Sequence, residues 1–326
     1  MFLRAAIFIL LFLPLQAQAG DERHDLEWGG QRRPFYVHVP KDLEGKPGLP
    51  VMMVLHGGGG NAKGMQVMTG MDGVADKNGF IAVYPEGYGS PMIDSMRTWN
   101  AGTCCGAAVR KDVDDVGYIG AVIDALSSTY KIDTRRVYAT GHSNGAMMSY
   151  RLACEMSDRI AAIAPNAGQR GFSPCNLKRP VPVMHIHGTE DPCALYGGGD
   201  KCGGCFSRFL GIGNDNWPCK SVPQTVQETA EMNGCGKEAE VTFSKGAVSC
   251  ESFACPQNAA VQLCAINGAG HIWAGKHDRG PAVCAEDPDK KICTRYREIV
   301  GPPNADIDAG QLAWDFVKQF RLSAGK

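Results

Sequence analysis

Short, continuous apolar runs alternate along this chain with segments of helical periodicity, and this alternation restricts the folds that the chain can form. The runs LPVMMVLH (49–56) and IAVYP (81–85) are almost wholly apolar, as expected of strands buried on both faces. The segment 112–130 repeats Val, Ile and Leu at steps of three and four residues, which gives one apolar helix face. The pattern predicts an α/β fold, with a mostly parallel central sheet covered by helices on both faces.

The same periodicities place further elements along the chain. Strands are predicted at 33–40, 49–56, 81–85, 137–140, 160–164, 181–187 and 261–266. Helices are predicted at 62–77, 112–130, 146–156, 222–233 and 307–320. Asp112, Asp114 and Asp115 are expected in the first turn of their helix, where negative charge interacts favourably with the helix dipole.

The first residues, MFLRAAIFILLFLPLQAQAG, have the layout of a secretory signal peptide. One basic residue, Arg4, precedes an apolar run, and the sequence Ala17-Gln18-Ala19 supplies a small-residue cleavage site. The apolar run is shorter than the roughly 20 residues that a transmembrane helix needs. We expect a signal peptide over 1–19, a single mature domain over 20–326 and a secreted protein, extracellular or periplasmic; an uncleaved anchor is the alternative.

Fourteen cysteines are present, and in an exported chain an even number of cysteines predicts a disulfide framework, here of up to seven bonds. Cys202 and Cys205 also have the spacing that begins some zinc sites, but no second close pair follows them, so no metal is expected. The formal net charge of −1 gives no general attraction to nucleic acid or to anionic lipid. Neither nucleic acid nor a membrane is therefore an expected partner.

The segment GHSNG (141–145) follows a predicted strand and precedes a predicted helix. A sharp turn in this context lifts one side chain off the edge of the sheet, and the flanking glycines let strand and helix crowd together. The pattern G-x-S-x-G therefore predicts that Ser143 is a catalytic nucleophile. A plain tight turn with an exposed serine is the alternative.

A serine nucleophile needs a base, and the base needs an acid that orients it. For this turn the acid and then the histidine follow the serine along the chain. Asp191 lies just past the strand 181–187, with Glu190 as the adjacent competitor, and His271 lies in a glycine-rich loop after the strand 261–266. These positions predict a catalytic triad of Ser143, Asp191 and His271.

Attack on an ester or amide creates an oxyanion, which needs hydrogen-bond donors already in place. The backbone N–H of Asn144 is the first predicted donor, and the glycine loop HGGGG (56–60) supplies the second, at Gly58 or alternatively Gly59. The spacing of Gly57, Gly59 and Ala62 also matches part of a dinucleotide fingerprint, but that short match leaves the triad unexplained. No cofactor is expected.

Several motifs together carry a family resemblance. They include VLHGGGGNA, YPEGYG, TWNAGTCCG, VYATGHSNGAMMSYRLAC, HIHGTEDP and GAGHIWAG. Over residues 33–320 the chain resembles the secreted polyhydroxybutyrate depolymerase-type esterases, which include feruloyl and acetylxylan esterases. The resemblance implies an α/β-hydrolase fold, the triad named above, and a disulfide between Cys235 and Cys255.

The resemblance also raises the question of what surrounds the site. Trp99 and Trp273 lie beside family motifs, and such rings could hold an aromatic acyl group or a sugar, although core packing is an equal alternative. Two cysteine-bearing segments, 193–219 and 279–301, depart from the family pattern as insertions. We expect both near the mouth of the site, where they would reshape acyl or alcohol specificity.

The function predicted from the sequence is a secreted serine carboxylesterase that acts as a monomer. The expected substrates are feruloyl or acetyl esters of xylan, or short hydroxyalkanoate polyesters, as the resemblance implies. A peptidase or acyltransferase on the same scaffold is one alternative, and a non-catalytic secreted binding protein is another.

Overall fold

The computed structural model describes residues 22–90, 92, 96–205, 216–275, 284, 287 and 289–323. The expected signal peptide lies outside the described residues, as do the middle of the first insertion and part of the second. None of the helices in the described part of the chain has the length and apolar character that a membrane crossing requires.

The described residues form a twisted central sheet of ten strands, in the order β1-β2-β4-β3-β5-β6-β7-β12-β11-β10. The strands are β1 Glu22–Trp28, β2 Gln31–His38, β3 Val51–Leu55, β4 Ile81–Pro85, β5 Val137–His142, β6 Ala162–Asn166, β7 Val183–Gly188, β10 Ala239–Lys245, β11 Val248–Phe253 and β12 Val261–Ile266. The strands from β4 to β12 in this order pair in parallel, and antiparallel strands flank them on both sides. A separate hairpin, β8 Gly199–Gly203 with β9 Asn216–Cys219, lies in the first insertion.

Helices cover both faces of the sheet, as the sequence predicts. They are α1 Ala62–Thr69, α2 Met71–Asn78, α3 Gly106–Arg110, α4 Asp115–Tyr130, α5 Asn144–Glu155, α6 Val222–Met232, α7 Lys291–Val300 and α8 Ala309–Val317. In β3, Met52 and Val54 join a core with α1, α2 and α8, while Val51, Met53 and Leu55 join a second core with α4 and α5. Burial on both faces explains why the central strands are apolar at every position.

Two predicted helices differ from those in the structure. The segment 62–77 forms two helices because Gly70 takes a left-handed conformation (φ 57°) between α1 and α2. The helix predicted from Asp112 begins only at Asp115, because the Asp114 side chain accepts the Gly117 N–H and caps the helix. Asp115 is buried and pairs with Arg33 at 2.6 Å, so it anchors α4 to β2 rather than facing solvent.

All fourteen cysteines are joined in disulfides. The pairs are Cys104–Cys105, Cys154–Cys175, Cys193–Cys205, Cys202–Cys219, Cys235–Cys255, Cys250–Cys264 and Cys284–Cys293. The pair implied by the resemblance, Cys235–Cys255, is among them. Cys202 and Cys205 bind other cysteines, so the zinc alternative lacks the thiolates that it requires.

Candidate active site

Ser143 lies at the turn between β5 and α5, in a backbone conformation that side-chain-bearing residues rarely adopt (φ 56°, ψ −119°). A Cβ atom at Gly141 would come within 2.6 Å of the Gly145 backbone. A Cβ at Gly145 would overlap the carbonyl oxygens of Leu55 and His56 at the end of β3. Glycine at both positions therefore allows the strained turn that raises Ser143 above the sheet.

Asp191 and His271 meet because β7 and β12 are neighbours in the sheet. Each residue follows the carboxyl end of its strand, and Asp191 Oδ2 lies 2.7 Å from His271 Nδ1. Glu190, the competitor for the role of the acid, has an exposed side chain. The geometry therefore places Asp191, and not Glu190, where it can orient the imidazole.

The Asp191 carboxylate is buried and surrounded by donors. Its Oδ1 accepts the backbone N–H groups of Cys193 and Ala194, both at 2.7 Å. Burial acts to raise the pKa of Asp191, but the charge of His271 and hydrogen bonds from His187 and His271 outweigh it and hold the pKa well below its ordinary value. Asp191 is therefore a carboxylate that can stabilise a charged imidazole.

His271 lies against the nucleophile's own turn, since its ring is 4.5 Å from that of His142, the residue before Ser143. Within the described residues, no hydrogen bond joins the Ser143 hydroxyl to the His271 ring; such bonds are often long in unliganded enzymes and shorten with substrate bound. Burial, and then the charge of His271, lower the pKa of His142 to about 3. His142 is therefore a neutral neighbour of the catalytic pair.

The glycine loop after β3 faces the elbow. His56 Nε2 accepts the Gly87 N–H at 2.9 Å, so its proton is on Nδ1, which donates to Gly57 O at 2.8 Å. Burial is the main cause that lowers the pKa of His56 to about 4, so the ring stays in this neutral form. Sequence reasoning missed this role of His56, whose signal is its position directly before the glycines.

The His56 contact also sets the direction of the next N–H. In a trans peptide the C=O and the following N–H point in opposite directions, so the Gly57 carbonyl turned to His56 directs the Gly58 N–H away from it. The Gly59 N–H is used by Arg97 O at 2.8 Å, whereas the Gly58 N–H has no acceptor among the described residues. Of the two glycines that the sequence left open, Gly58 is the one whose donor is free.

Asn144 is the first residue of α5, so its N–H has no intrahelical acceptor. Its Cβ lies 3.5 Å from where a Cβ on Gly58 would be. The two predicted oxyanion donors therefore belong to backbone segments in direct contact, beside Ser143.

The two tryptophans are buried in this structure. Trp99 is 0 % exposed, its indole N–H donates to His56 O at 2.9 Å, and its backbone pairs with the Asn144 side chain. Trp273 is 1 % exposed and packs in the core beside α8. These positions favour loop anchoring and core packing, the alternative to substrate contact.

The described parts of both insertions contact the loops that carry Asp191 and His271. Cys193 and Ala194 of the first insertion donate to Asp191, and Val300 of the second accepts the His271 N–H through its carbonyl. Asp191, Cys193 and His271 lie close enough to resemble a metal site, but the Cys193 sulfur is part of a disulfide. The cluster is better explained as a supported acid–base pair.

Comparison with known proteins gives one family. The family model described as "Esterase PHB depolymerase" matches residues 36–199. A bifunctional acetylxylan esterase/xylanase of Neocallimastix patriciarum is 34 % identical over 51 % of this chain and 22 % of its own length. Feruloyl esterase B of Piromyces equi is 28 % identical over 89 % of this chain and 46 % of its own length. The chain thus spans less than half of both curated relatives.

The fold also matches a solved structure. The acetyl xylan esterase from Aspergillus awamori superposes with a TM-score of 0.53 at 15 % identity, covering 82 % of this chain and 98 % of that one. At this identity the match concerns the fold alone, and it agrees with the α/β-hydrolase architecture expected from the sequence.

Proposed function

The chain belongs to the esterase family described as PHB depolymerase, and from this premise we propose that it is a secreted serine carboxylesterase. Ser143 attacks the ester carbonyl while His271 accepts its proton and later gives that proton to the departing alcohol. Water then attacks the acyl carbonyl as His271 takes its proton. The bond from the acyl carbon to Ser143 Oγ breaks, His271 returns the proton to Oγ, and the acid is released. Asp191 stabilises the imidazolium, and the Gly58 and Asn144 N–H groups bind the oxyanion.

One observation carries this proposal: the 2.7 Å bond between Asp191 and His271 lies beside a strained elbow that presents Ser143. The order of the three residues along the chain is the order that this fold uses. Two free backbone donors, at Gly58 and Asn144, would stabilise the negative charge of the oxyanion. Removing one such donor typically raises the activation free energy by about 2.7–4 kcal/mol.

The substrates that we propose are feruloyl or acetyl esters on xylan, or short hydroxyalkanoate polyesters. The names of the relatives support the first two groups, and the family description supports the third. Secretion is supported by the signal-peptide pattern at the N-terminus and by the seven disulfides, which persist in oxidising compartments.

Initial rates on a matched substrate panel test the proposal. The mature protein is compared with Ser143→Ala on methyl ferulate, acetylated xylan, a soluble hydroxybutyrate oligomer and the amide analogue of the ferulate. We expect the mature protein to hydrolyse at least one of the esters and to hydrolyse the amide much more slowly. We expect no activity in Ser143→Ala. Preference for the amide, or activity that persists in the variant, contradicts the proposal.

A further inference from the structure

A line of buried side chains continues from the catalytic acid into the core of the protein. Asp191 Oδ2 lies 3.1 Å from His187 Nε2, and His187 Nδ1 lies 2.8 Å from His185 Nε2. His185 Nδ1 lies 2.9 Å from the Tyr150 hydroxyl. All four side chains are buried, and the proposed mechanism moves no proton through the last three.

The partners fix where the protons are. His187 Nε2 faces only acceptors, Ala194 O at 2.7 Å and the Asp191 carboxylate, so it carries a hydrogen. In a neutral ring Nδ1 then accepts, and the donor can only be His185 Nε2–H. His185 Nδ1 accepts in turn from the Tyr150 O–H. The chain therefore runs in one direction, from Tyr150 to Asp191.

This direction opposes the protonation of His187. A proton on His187 Nδ1 would face the His185 N–H, unless His185 moved its own proton to Nδ1 and the Tyr150 hydroxyl turned away. Burial, the largest cause, holds the pKa of His185 well below its ordinary value, so His185 takes no extra proton itself. Three groups must rearrange together before His187 becomes charged.

The neutral state of His187 matters because His271 Nδ1 binds the same carboxylate oxygen, Asp191 Oδ2. A cationic His187 would compete for the negative charge of Asp191 with the imidazolium that His271 becomes during catalysis. We infer that His187 is a positioning residue of the esterase site. Its neutral Nε2–H donates to Ala194 O, which holds the loop whose N–H groups bind Asp191, and the same nitrogen lies 3.1 Å from that carboxylate. His185 and Tyr150 keep His187 in this form. The inference rests on the serine mechanism proposed above.

Other charged and titratable groups also border the chain. Tyr196 lies edge-on to the His187 ring, with 6.0 Å between the ring centroids. Arg170 pairs with Glu228 at 2.9 Å, and its charge acts to lower the pKa of Tyr150 against the larger effect of burial. His142 lies against His271 at 4.5 Å and is kept neutral by burial. None of these groups lies between His187 and Asp191, whose contact is direct.

Two substitutions at His187 test the donor. His187→Leu removes the N–H, whereas His187→Gln offers an amide N–H at similar reach and cannot become charged. We expect kcat of His187→Leu to fall at least about tenfold with KM within about twofold, because orientation of His271 is lost while substrate binding is kept. His187→Gln should retain at least about a third of kcat. Equal losses in both variants, or no loss in His187→Leu, overturn the inference.

Tyr150→Phe tests the far end of the chain without touching the site. It frees His185 to change tautomer and so lets His187 take a proton. A cation there repels the imidazolium that His271 becomes, so the acidic limb of the kcat/KM profile should move to lower pH. The shift should vanish in the double variant Tyr150→Phe/His187→Gln. Tyr138→Phe is the matched control, since its buried hydroxyl donates to Phe320 O at 2.7 Å on the other face of the sheet.

An acidic limb that stays in place in Tyr150→Phe, or that moves equally in Tyr138→Phe, overturns the role given to Tyr150 and His185. A fluorophosphonate probe separates this from failure of the proposed function. If the wild-type protein is labelled at Ser143 but His187→Leu has an unchanged kcat, the positioning role of His187 is wrong and the serine mechanism stands. A wild-type protein that neither labels nor hydrolyses esters rejects the serine mechanism, and the inference with it.

Discussion

The Asn144 side chain and the Trp99 backbone form a two-way hydrogen-bonded pair. Asn144 Oδ1 accepts the Trp99 N–H at 2.7 Å, and Asn144 Nδ2 donates to Trp99 O at 3.1 Å. Trp99 in turn donates through its indole to His56 O, at the base of the glycine loop. Asn144, the first proposed oxyanion donor, is thereby linked through Trp99 to the glycine loop that is proposed to supply the second.

Asn144→Ala should lower both stability and turnover. It leaves the buried Trp99 N–H without its acceptor, whereas the Trp99 C=O still accepts the N–H groups of Ala101 and Cys105. The expected cost is about 1–3 kcal/mol in the free energy of unfolding. The chain provides a matched control in Asn233, whose side chain makes the same two-way pair with the Val181 backbone at 3.0 and 2.7 Å. Denaturant unfolding should show similar destabilisation in Asn144→Ala and Asn233→Ala. Steady-state kinetics should show a loss of kcat in Asn144→Ala alone.

Asp191→Asn should reduce kcat by several orders of magnitude, because a neutral amide neither holds the His271 Nδ1–H tautomer nor stabilises the imidazolium. Glu190→Gln is the neighbouring control, since its exposed side chain lies outside the pair. Steady-state rates of the two variants on one ester measure the difference. If Glu190→Gln were the more damaged enzyme, the acid would have to be reassigned.

The Cys193–Cys205 disulfide should support catalysis as well as stability. Cys193 and Ala194 donate to Asp191, so loosening this loop should misplace the acid. Replacing both cysteines by serine should lower the unfolding free energy by about 3 kcal/mol and kcat by about tenfold. In the control, Cys154→Ser/Cys175→Ser at the far end of α5, stability should fall comparably while kcat stays near wild type.

Stability should decrease in mild acid because two histidines are buried in neutral form. Burial lowers the pKa of His56 to about 4 and that of His142 to about 3, against about 6.5 in an unfolded chain. Between these values the unfolded state binds more protons, so each histidine withdraws up to about 1.4 kcal/mol per pH unit as pH falls below about 6.5. Denaturant unfolding at a series of pH values should show this slope, and it should be smaller in His142→Gln.

The sequence could bring Ser143, Asp191 and His271 to one edge of the sheet because each lies in the loop or turn that follows an apolar strand. Ser143 follows β5, Asp191 follows β7 and His271 follows β12, and parallel strands bring such ends to one edge of the sheet. The role of His187 was not predicted, although one signal exists. His185 and His187 are two residues apart in β7, so a strand places them on the same face.

Other features depend on tertiary contacts that a sequence does not display. Strand β10 is largely exposed and interrupts its apolar residues with polar ones, so it has no apolar run that marks a strand. The Cys250–Cys264 disulfide joins residues directly opposite in β11 and β12, and only the register of those strands identifies the pair. The buried Asp115–Arg33 pair likewise depends on long-range packing.

Active-site trapping shows whether Ser143 forms the covalent acyl intermediate. The mature protein is treated with a fluorophosphonate, digested, and mapped by mass spectrometry alongside Ser143→Ala. We expect one adduct per chain on the peptide containing Ser143, loss of esterase activity in proportion to labelling, and no adduct in the variant. An adduct on another residue, or an unlabelled Ser143 in a protein that still hydrolyses esters, would contradict this role of Ser143.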